Sequence, residues 1–270
     1  MDLETFALLA TPGSLVAFIV TERLLCARPL PHVSWWKSKS VVSFVVLMLT
    51  GMFAPLLWLD FVTAHRLMNL EGLGIVGGTL VAFLGMQLVS YGWHRLMHNV
   101  PFLWRWFHQV HHSAERLDVY GGVYFHPLDN LAFTFIQTVV PFFVLGVRPE
   151  ASVMAGLVSL FYALFQHANV KTPRWLGYFI QRPESHSVHH GRGVHAFNYA
   201  DLPLWDIAFR TFRNPEHFEV ETGFYDGASS RIAEMLVGRD VATPKRQPAA
   251  LEARTGGVEG ARASHALGGG

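Results

Sequence analysis

Three short histidine motifs carry most of the chemistry that this sequence could perform. The chain has 15 histidines, and 11 of them lie between His94 and His195. The motifs HRLMH, HQVHH and HSVHH supply eight of these, namely His94, His98, His108, His111, His112, His186, His189 and His190. Neutral imidazole is a good ligand for iron, zinc, copper and nickel. Because so many imidazoles exceed what one ion needs, the motifs predict two metal ions bound side by side.

The spacing within each motif suits this interpretation if the motifs are helical. Residues three or four positions apart share one helix face, so His94 and His98 point the same way. Two adjacent histidines diverge by about 100° around a helix, so one can bind the first metal while its neighbour binds the second. A single histidine is more often an ordinary core or surface residue, but three spaced motifs together argue for a metal centre.

Acidic residues near the motifs have two open interpretations. They are Glu115, Asp118, Glu184, Asp201 and Asp206. Each carboxylate could orient a ligating ring through a hydrogen bond, or it could be a solvated charge or a helix cap. Both interpretations remain open for each residue.

Long apolar runs must position these motifs. Residues 3–20, 41–59 and 73–91 are long enough for membrane helices, although TPGS interrupts the first run. Residues 131–147 and 151–165 are separated only by RPE, which predicts a tight helical hairpin. Each arm is short for a full span, so a re-entrant path fits as well as a spanning one. These runs predict an all-α integral membrane bundle of about four membrane helices plus the hairpin, with a cytoplasmic helical cap that holds the metals.

The composition excludes several other classes of protein. Hydrophobic residues make up 51% of the chain and charged residues 15%, whereas about a quarter of the residues are charged in soluble domains. The net charge of +1 gives no basis for binding nucleic acid. Cys26 is the single cysteine, which excludes a cysteine-based zinc site or an iron–sulfur cluster held by this chain.

Basic residues in short loops predict the orientation in the membrane. The loop after the first run holds Arg23, Arg28, Lys37 and Lys39, so we expect this loop to be cytoplasmic. The third run then returns to the same side, and the hairpin leaves and comes back, so every histidine motif is expected at the cytoplasmic face. The start, MDLETF, is acidic, so the first run is expected to be retained and not cleaved as a signal peptide.

The three motifs, followed by NYADLPLWDIAFRTF, resemble the sterol desaturase and fatty acid hydroxylase superfamily. The family pattern reads HxxxH, HxxHH and HxxHH, and then Asn-Tyr and Trp-Asp, and the resemblance covers residues 73–215. It implies an integral membrane enzyme whose histidines hold two iron ions at the cytoplasmic face. Such an enzyme uses O2 to oxidise a C–H bond of a lipid.

The resemblance also assigns roles to individual residues. The eight motif histidines match metal ligands of the family, and His167 matches a further ligand position. Asn198, Tyr199, Trp205 and Asp206 match the terminal signature, and we expect them to support the ligands or to pack around them.

The chain departs from the family pattern at two positions. The family often has another histidine four residues before the position of His167, where this chain has Ala163. His126, in YFHPLDN, could supply the missing ligand, or it could be a helix-entry histidine before Pro127. Arg210 stands where the family usually has glycine, which indicates altered chain packing.

The remaining histidines are expected not to bind metal. They are His32, His65, His195, His217 and His265. His195 lies in a loop and has no partner at helical spacing, and His265 lies in the tail.

Three parts of the chain are predicted from these patterns. They are N-terminal membrane helices at 1–71, a fatty acid hydroxylase-like catalytic domain at 72–238 and a disordered tail at 239–270. The tail is rich in Ala, Gly, Arg and Pro and lacks apolar periodicity. Together with the lack of organelle signals, this Ala- and Arg-rich tail suggests a bacterial inner membrane.

The expected function is O2-dependent hydroxylation or desaturation of a sterol or fatty-acyl-type lipid, with two iron ions as cofactor and zinc possible in purified protein. The 270 residues contain no Rossmann fingerprint and no haem-binding module, so electrons are expected from a separate ferredoxin, cytochrome or reductase. One alternative is a membrane metal-binding or transport protein, which would need polar ligands inside the spans. A second alternative is a zinc-dependent lipid hydrolase on the same scaffold, because zinc also binds nitrogen ligands well.

Overall fold

The computed structural model describes residues 3–244, and over this range the chain is helical, with two isolated β-bridges. Two π-helical segments, Trp104–His108 and Val140–Leu145, continue the fifth and seventh helices. The α-helices are α1 (Leu3–Leu24), α2 (Trp36–Phe53), α3 (Leu59–Ala64), α4 (Gly74–Asn99), α5 (Pro101–Leu103), α6 (Gln109–His112), α7 (Pro127–Val139), α8 (Pro149–His167), α9 (Pro183–His189), α10 (Pro203–Ala208) and α11 (Ile232–Met235). The predicted all-α class is confirmed.

Four helical segments are long and apolar enough to cross a membrane. They are Thr5–Leu24, Trp36–Leu57, Glu71–Asn99 and Pro127–Leu145. The first three agree with the predicted runs, and the fourth is the first arm of the predicted hairpin. The second arm, α8, has 19 residues and carries polar residues at both ends, and it is not among the four.

Helix α1 continues through the segment TPGS, which the sequence analysis treats as an interruption. Pro12 lies inside the helix and lacks a backbone N–H. On either side of it, the hydroxyl of Thr11 donates to the carbonyl of Ala7 at 2.9 Å, and that of Ser14 donates to Ala10 at 2.8 Å. These side-chain bonds give the backbone around the proline additional partners, as is common in apolar helices.

Small residues let α4 and the hairpin approach closely. A Cβ atom on Gly78 would lie 2.9 Å from the Cβ of Ala151 on α8, and one on Gly85 would lie 3.2 Å from Val140. Ala151 and Val140 are buried in the same apolar cluster as Ala82 and Met86 of α4. The glycine-rich third run therefore serves close helix packing, as expected.

The cap, by which we mean residues 100–126 and 168–238 outside the long helices, packs against the ends of those helices. Trp36, at the start of α2, contacts Tyr124 with ring centroids 5.1 Å apart, and its indole N–H donates to Asp118. The side-chain amide N–H of Gln109 donates to the carbonyl of Arg239 at 2.8 Å. The backbone N–H of the buried Val241 donates to the side-chain oxygen of Gln109 at 3.3 Å. Residues 239–242 thus contact the cap, and residues 245–270 of the predicted tail lie outside the described residues.

We predict that Gly78→Leu destabilises the bundle, because the new side chain must enter the space held by Ala151. Overpacking of this kind costs about 1–3 kcal/mol. Gly92→Leu on the same helix is the matched control, because a Cβ there has nothing within 4 Å. Thermal unfolding in detergent measures both variants, and an equal effect of the two would contradict the close approach of α4 and α8.

Candidate metal centre

The histidine motifs lie where helices end or turn. His94 and His98 occupy the last turns of α4. The second motif begins at the π-helical segment Trp104–His108 and continues into α6, and His167 is the last residue of α8. The third motif lies on α9, whose C-cap is His190. Four segments that are distant in sequence therefore deliver imidazoles to one place.

The imidazoles form two clusters, in each of which the candidate ligand atoms lie within 4.8 Å of one another. We call them the five-histidine cluster and the four-histidine cluster. The five-histidine cluster consists of His94, His98, His108, His112 and His189. The four-histidine cluster consists of His111, His167, His186 and His190.

The helical spacing explains how the motifs divide between the clusters. Within HQVHH, the first and last histidines share a cluster, and the middle one, His111, belongs to the other. Within HSVHH the same division holds, with His189 as the middle residue. Histidines four apart thus stay together, and adjacent histidines separate, because neighbours on a helix diverge by about 100°.

Hydrogen bonds at Nδ1 fix the orientation of three rings in the five-histidine cluster. His94 Nδ1 donates to the carbonyl of Tyr199 at 2.6 Å, and His189 Nδ1 donates to that of Phe197 at 2.7 Å. His108 Nδ1 lies 2.8 Å from a carboxylate oxygen of Asp129. A carbonyl only accepts hydrogen bonds, so the proton of the His94 and His189 rings is on Nδ1 and their Nε2 atoms are bare.

The Nε2 atom of His108 lies 2.8 Å from that of His94. The two bare Nε2 atoms, those of His94 and His189, face each other 3.0 Å apart. Two lone pairs at this distance cannot form a hydrogen bond and repel each other. A cation between them removes the repulsion, and several imidazole nitrogens are a suitable donor set for iron or zinc, so the residues present fit a bound metal ion.

The four-histidine cluster repeats this arrangement. His111 Nδ1 donates to the carbonyl of Tyr124 at 3.3 Å, and His167 Nδ1 donates to that of Ala163 at 2.7 Å. Their Nε2 atoms lie 3.2 Å apart, and that of His186 lies 3.1 Å from that of His167. A second metal ion therefore fits here for the same reason.

Burial keeps these rings neutral. Removal from water lowers the pKa of His112, His186 and His189 well below the ordinary value, and the neighbouring rings lower it further. Burial lowers the pKa of His167 to about 4. Neutral rings keep the lone pair that a metal requires.

His126 is not in either cluster. Its Nδ1 accepts a hydrogen bond from the backbone N–H of Leu128 at 3.1 Å, so it caps the start of α7. Its Nε2 lies 3.4 Å from the carbonyl of Leu236. Of the two interpretations offered by the sequence, this placement corresponds to a helix-entry histidine.

The terminal signature shapes the loop that carries the carbonyls for His94 and His189. Asp206 accepts the backbone N–H groups of Tyr199 at 2.9 Å and Ala200 at 2.8 Å. Asn198 donates to the carbonyl of Ser185 on α9 at 2.7 Å. Trp205 lies beside Asp206 on α10 and is half-buried. The signature therefore acts mainly by holding backbone in place.

Asp129 is a functional candidate that the sequence analysis does not identify. It is fully buried in the first turn of α7 and lies 21 positions from His108, so no local spacing links the two residues. The acidic residues named from the sequence bond elsewhere: Glu115 to Ser229, Asp118 to Trp36 and Arg116, Glu184 to Thr172 and Arg182, Asp201 to Gln87 and Gln166, and Asp206 to Thr211.

Comparison with known proteins agrees with the site. The sequence model of the family described as fatty acid hydroxylase matches residues 79–211, a range that contains all nine cluster histidines. No solved structure matches the chain significantly.

Three curated relatives illustrate the similarity. An ornithine lipid hydroxylase of Rhizobium tropici is 33% identical over 145 residues, which cover 52% of this chain and 42% of the relative. A very-long-chain aldehyde decarbonylase of Oryza sativa subsp. japonica is 30% identical, over 47% of this chain and 51% of the relative. The alkylglycerol monooxygenase of Danio rerio is 33% identical, over 53% of this chain and 32% of the relative. The chain spans about half the length of these relatives, or less.

We predict that the metal-free protein loses stability as the pH falls from about 6.5 towards 4. In this window the unfolded chain binds protons that the buried rings do not, because their folded pKa values lie below 6.5. A pKa lowered to about 4 corresponds to about 3 kcal/mol for one ring. Thermal unfolding of the metal-free protein at several pH values tests this.

A pair of variants controls that measurement. His167→Leu removes one buried ring and should make the pH dependence shallower, whereas His217→Leu changes an exposed histidine and should leave it unaltered. Identical pH profiles for wild type and both variants would contradict the link between cluster burial and stability.

We also predict that Arg210→Gly stabilises the protein by up to about 1 kcal/mol. Arg210 keeps the left-handed backbone, with φ of 62°, at the position where the family pattern usually has glycine. Glycine adopts this conformation without the Cβ penalty. Arg210→Ala retains that penalty, so an equal gain in thermal stability from both variants would refute the explanation.

Proposed function

We propose that this protein is a member of the fatty acid hydroxylase family, whose sequence model matches residues 79–211, and that it is a membrane-bound oxidoreductase that hydroxylates or desaturates a lipid with O2. The observation that carries the proposal is the pair of buried clusters in which bare Nε2 atoms face one another at about 3 Å. Lipid-modifying relatives support a lipid substrate.

Nine histidines would hold the metals, which we propose to be two iron ions. They are the five-histidine and four-histidine clusters, without His126. When bound, the iron pair supplies the redox chemistry by which O2 oxidises a C–H bond. Two electrons must come from a separate donor, for which a ferredoxin, a cytochrome or a reductase would serve.

The residues around the clusters orient the ligands and exclude water. The carbonyls of Phe197 and Tyr199 hold two rings at fixed angles, and Asp129 holds a third. The ring of Phe125 stacks on His111 with centroids 4.3 Å apart and an interplanar angle of 13°. These contacts exclude water from the site. Exclusion of water limits side reactions that would consume the oxidising equivalents before they reach the lipid.

We further propose that the lipid carbon reaches the centre beside His98. This histidine is half-buried, whereas the other eight of the nine are buried. Its ring contacts Trp104 at 5.1 Å and Tyr199 at 5.3 Å between centroids. Aromatic side chains of this kind suit the approach of an apolar chain.

The clusters are proposed to face the cytoplasm. The loop between α1 and α2 carries Arg28, and the other basic residues that predict this side lie in the adjacent helix ends, Arg23 in α1 and Lys37 and Lys39 in α2. The loop contacts the segment next to His167. The backbone N–H of Ala27 donates to the carbonyl of Asn169 at 2.8 Å, and the side chain of Arg28 donates to the carbonyl of Glu219. These contacts support a location of the loop and the metal centre on the same side of the membrane.

We predict that His111→Ala and His189→Ala each lower lipid-dependent O2 consumption by more than about 100-fold, because each removes a metal ligand. Each variant should also lose one metal ion or both by elemental analysis while it remains in the membrane. His32→Ala, an exposed histidine outside the clusters, should behave as wild type. His126→Ala should keep its metal, because that ring caps a helix.

The same measurement separates the alternatives. Full activity in both cluster variants would overturn the dinuclear centre. Lipid turnover that needs neither O2 nor a reductant would favour zinc-dependent hydrolysis on this scaffold. Bound metal without any lipid-dependent turnover would favour a metal-binding protein.

A further inference from the structure

We propose that His195 is a positioning residue of the metal centre, which holds His112 in the tautomer that leaves its Nε2 free to bind metal. The proposal rests on the dinuclear site proposed above. The sequence analysis places His195 outside the ligands, because it has no partner at helical spacing.

The contact joins two ring nitrogens across a long stretch of sequence. His195 Nδ1 lies 3.1 Å from His112 Nδ1, which is a hydrogen-bond distance between residues 83 positions apart. One of the two atoms must donate and the other must accept. The direction of this bond decides which nitrogen of His112 carries its proton.

The surroundings of His112 select the direction. Its Nε2 is buried and has no hydrogen-bond partner in the described part of the chain. The ring centroids of His98 and His189 each lie 4.6 Å from that of His112. His112 belongs to the five-histidine cluster, and its unpartnered Nε2 is the nitrogen left to serve it. An N–H there would be an unpaired buried donor and could not bind metal. His112 Nδ1 therefore donates, and His195 accepts.

The position of His195 is itself tightly defined. Its ring packs between Trp104 and Phe224, with centroids 5.8 and 5.2 Å away. Its backbone has φ of 41°, which is a left-handed conformation that a histidine seldom adopts. The two aromatic neighbours thus hold the ring of His195 beside His112.

His112 differs from four of the other oriented rings in a way that makes the proposal testable, whereas His108 also depends on a side chain, that of Asp129. His94, His189, His111 and His167 donate to backbone carbonyls, which no substitution removes. His112 depends on a side chain. Replacing that side chain changes the acceptor without changing any ligand.

Three variants of the full-length protein in detergent distinguish the effect of losing the hydrogen-bond acceptor of His195 from the effect of losing the shape of its side chain. In His195→Asn, the amide oxygen can occupy the place of Nδ1, and asparagine tolerates a left-handed backbone. His195→Leu has a similar size but no acceptor. His195→Gly permits the same backbone and has neither acceptor nor bulk. The probe is Co²⁺, titrated into metal-free protein, with its visible absorption and the bound metal per chain as readouts.

We expect His195→Leu and His195→Gly to weaken one of two Co²⁺ binding events by about 10–100-fold, as loss of an outer partner of a ligand does, and to alter its absorption spectrum. The second event should stay unchanged, and His195→Asn should bind within a few-fold of wild type. Thermal unfolding of the metal-free variants shows whether each one is folded. If His195→Leu is not folded, His195→Asn still provides a valid test.

Three results would overturn the proposal. They are two unchanged binding events in His195→Leu and His195→Gly, an equal loss at both clusters, or a loss in His195→Asn as large as that in His195→Leu. Failure of the underlying metal centre looks different, because then the wild-type protein itself would bind no Co²⁺.

Discussion

The structure depends on a simple property of neutral imidazole, which has one nitrogen that donates and one that accepts. Once a backbone carbonyl takes the proton of His94 or His189 at Nδ1, the Nε2 atom must be bare. The fold places two such atoms 3.0 Å apart in the five-histidine cluster, where the candidate ligand atoms all lie within 4.8 Å of one another. This arrangement is unfavourable without a cation and favourable with one, so binding of metal and stability of the cap are coupled.

The membrane-length helices supply the rigidity that this arrangement needs. Gly78 lets α4 pack directly on α8, and these two helices carry His94 and His98 on one side and His167 on the other. Because both helices end at the clusters, small displacements between them would move ligands of different metals relative to each other. The apolar spans thus anchor the site as well as the protein, and the histidine clusters lie at the ends of these helices.

The loop after α9 adopts an unfavourable backbone conformation that orients the ligands. His195, Phe197 and Asn198 all have positive φ, which is uncommon outside glycine. In return, the carbonyls of Phe197 and Tyr199 point at ring nitrogens, and Asp206 holds the loop by accepting two of its backbone N–H groups. Such local strain persists where the surrounding contacts over-determine it, and here the contacts come from α9 and α10.

The sequence alone determined the features that depend on local spacing. Helical periodicity predicted that His94 and His98 share a face and that the adjacent His111 and His112 separate, but it placed His108 equally with either of them. Apolar runs predicted the spans. Only the tertiary structure decided which distant residues meet. Asp129 orients His108 across 21 positions and His195 contacts His112 across 83, and neither pair leaves a periodic signal. His126 caps a helix and is not in a cluster, because a histidine before proline can serve either purpose and only the folded chain decides whether a backbone N–H donor or a metal lies within reach of its ring.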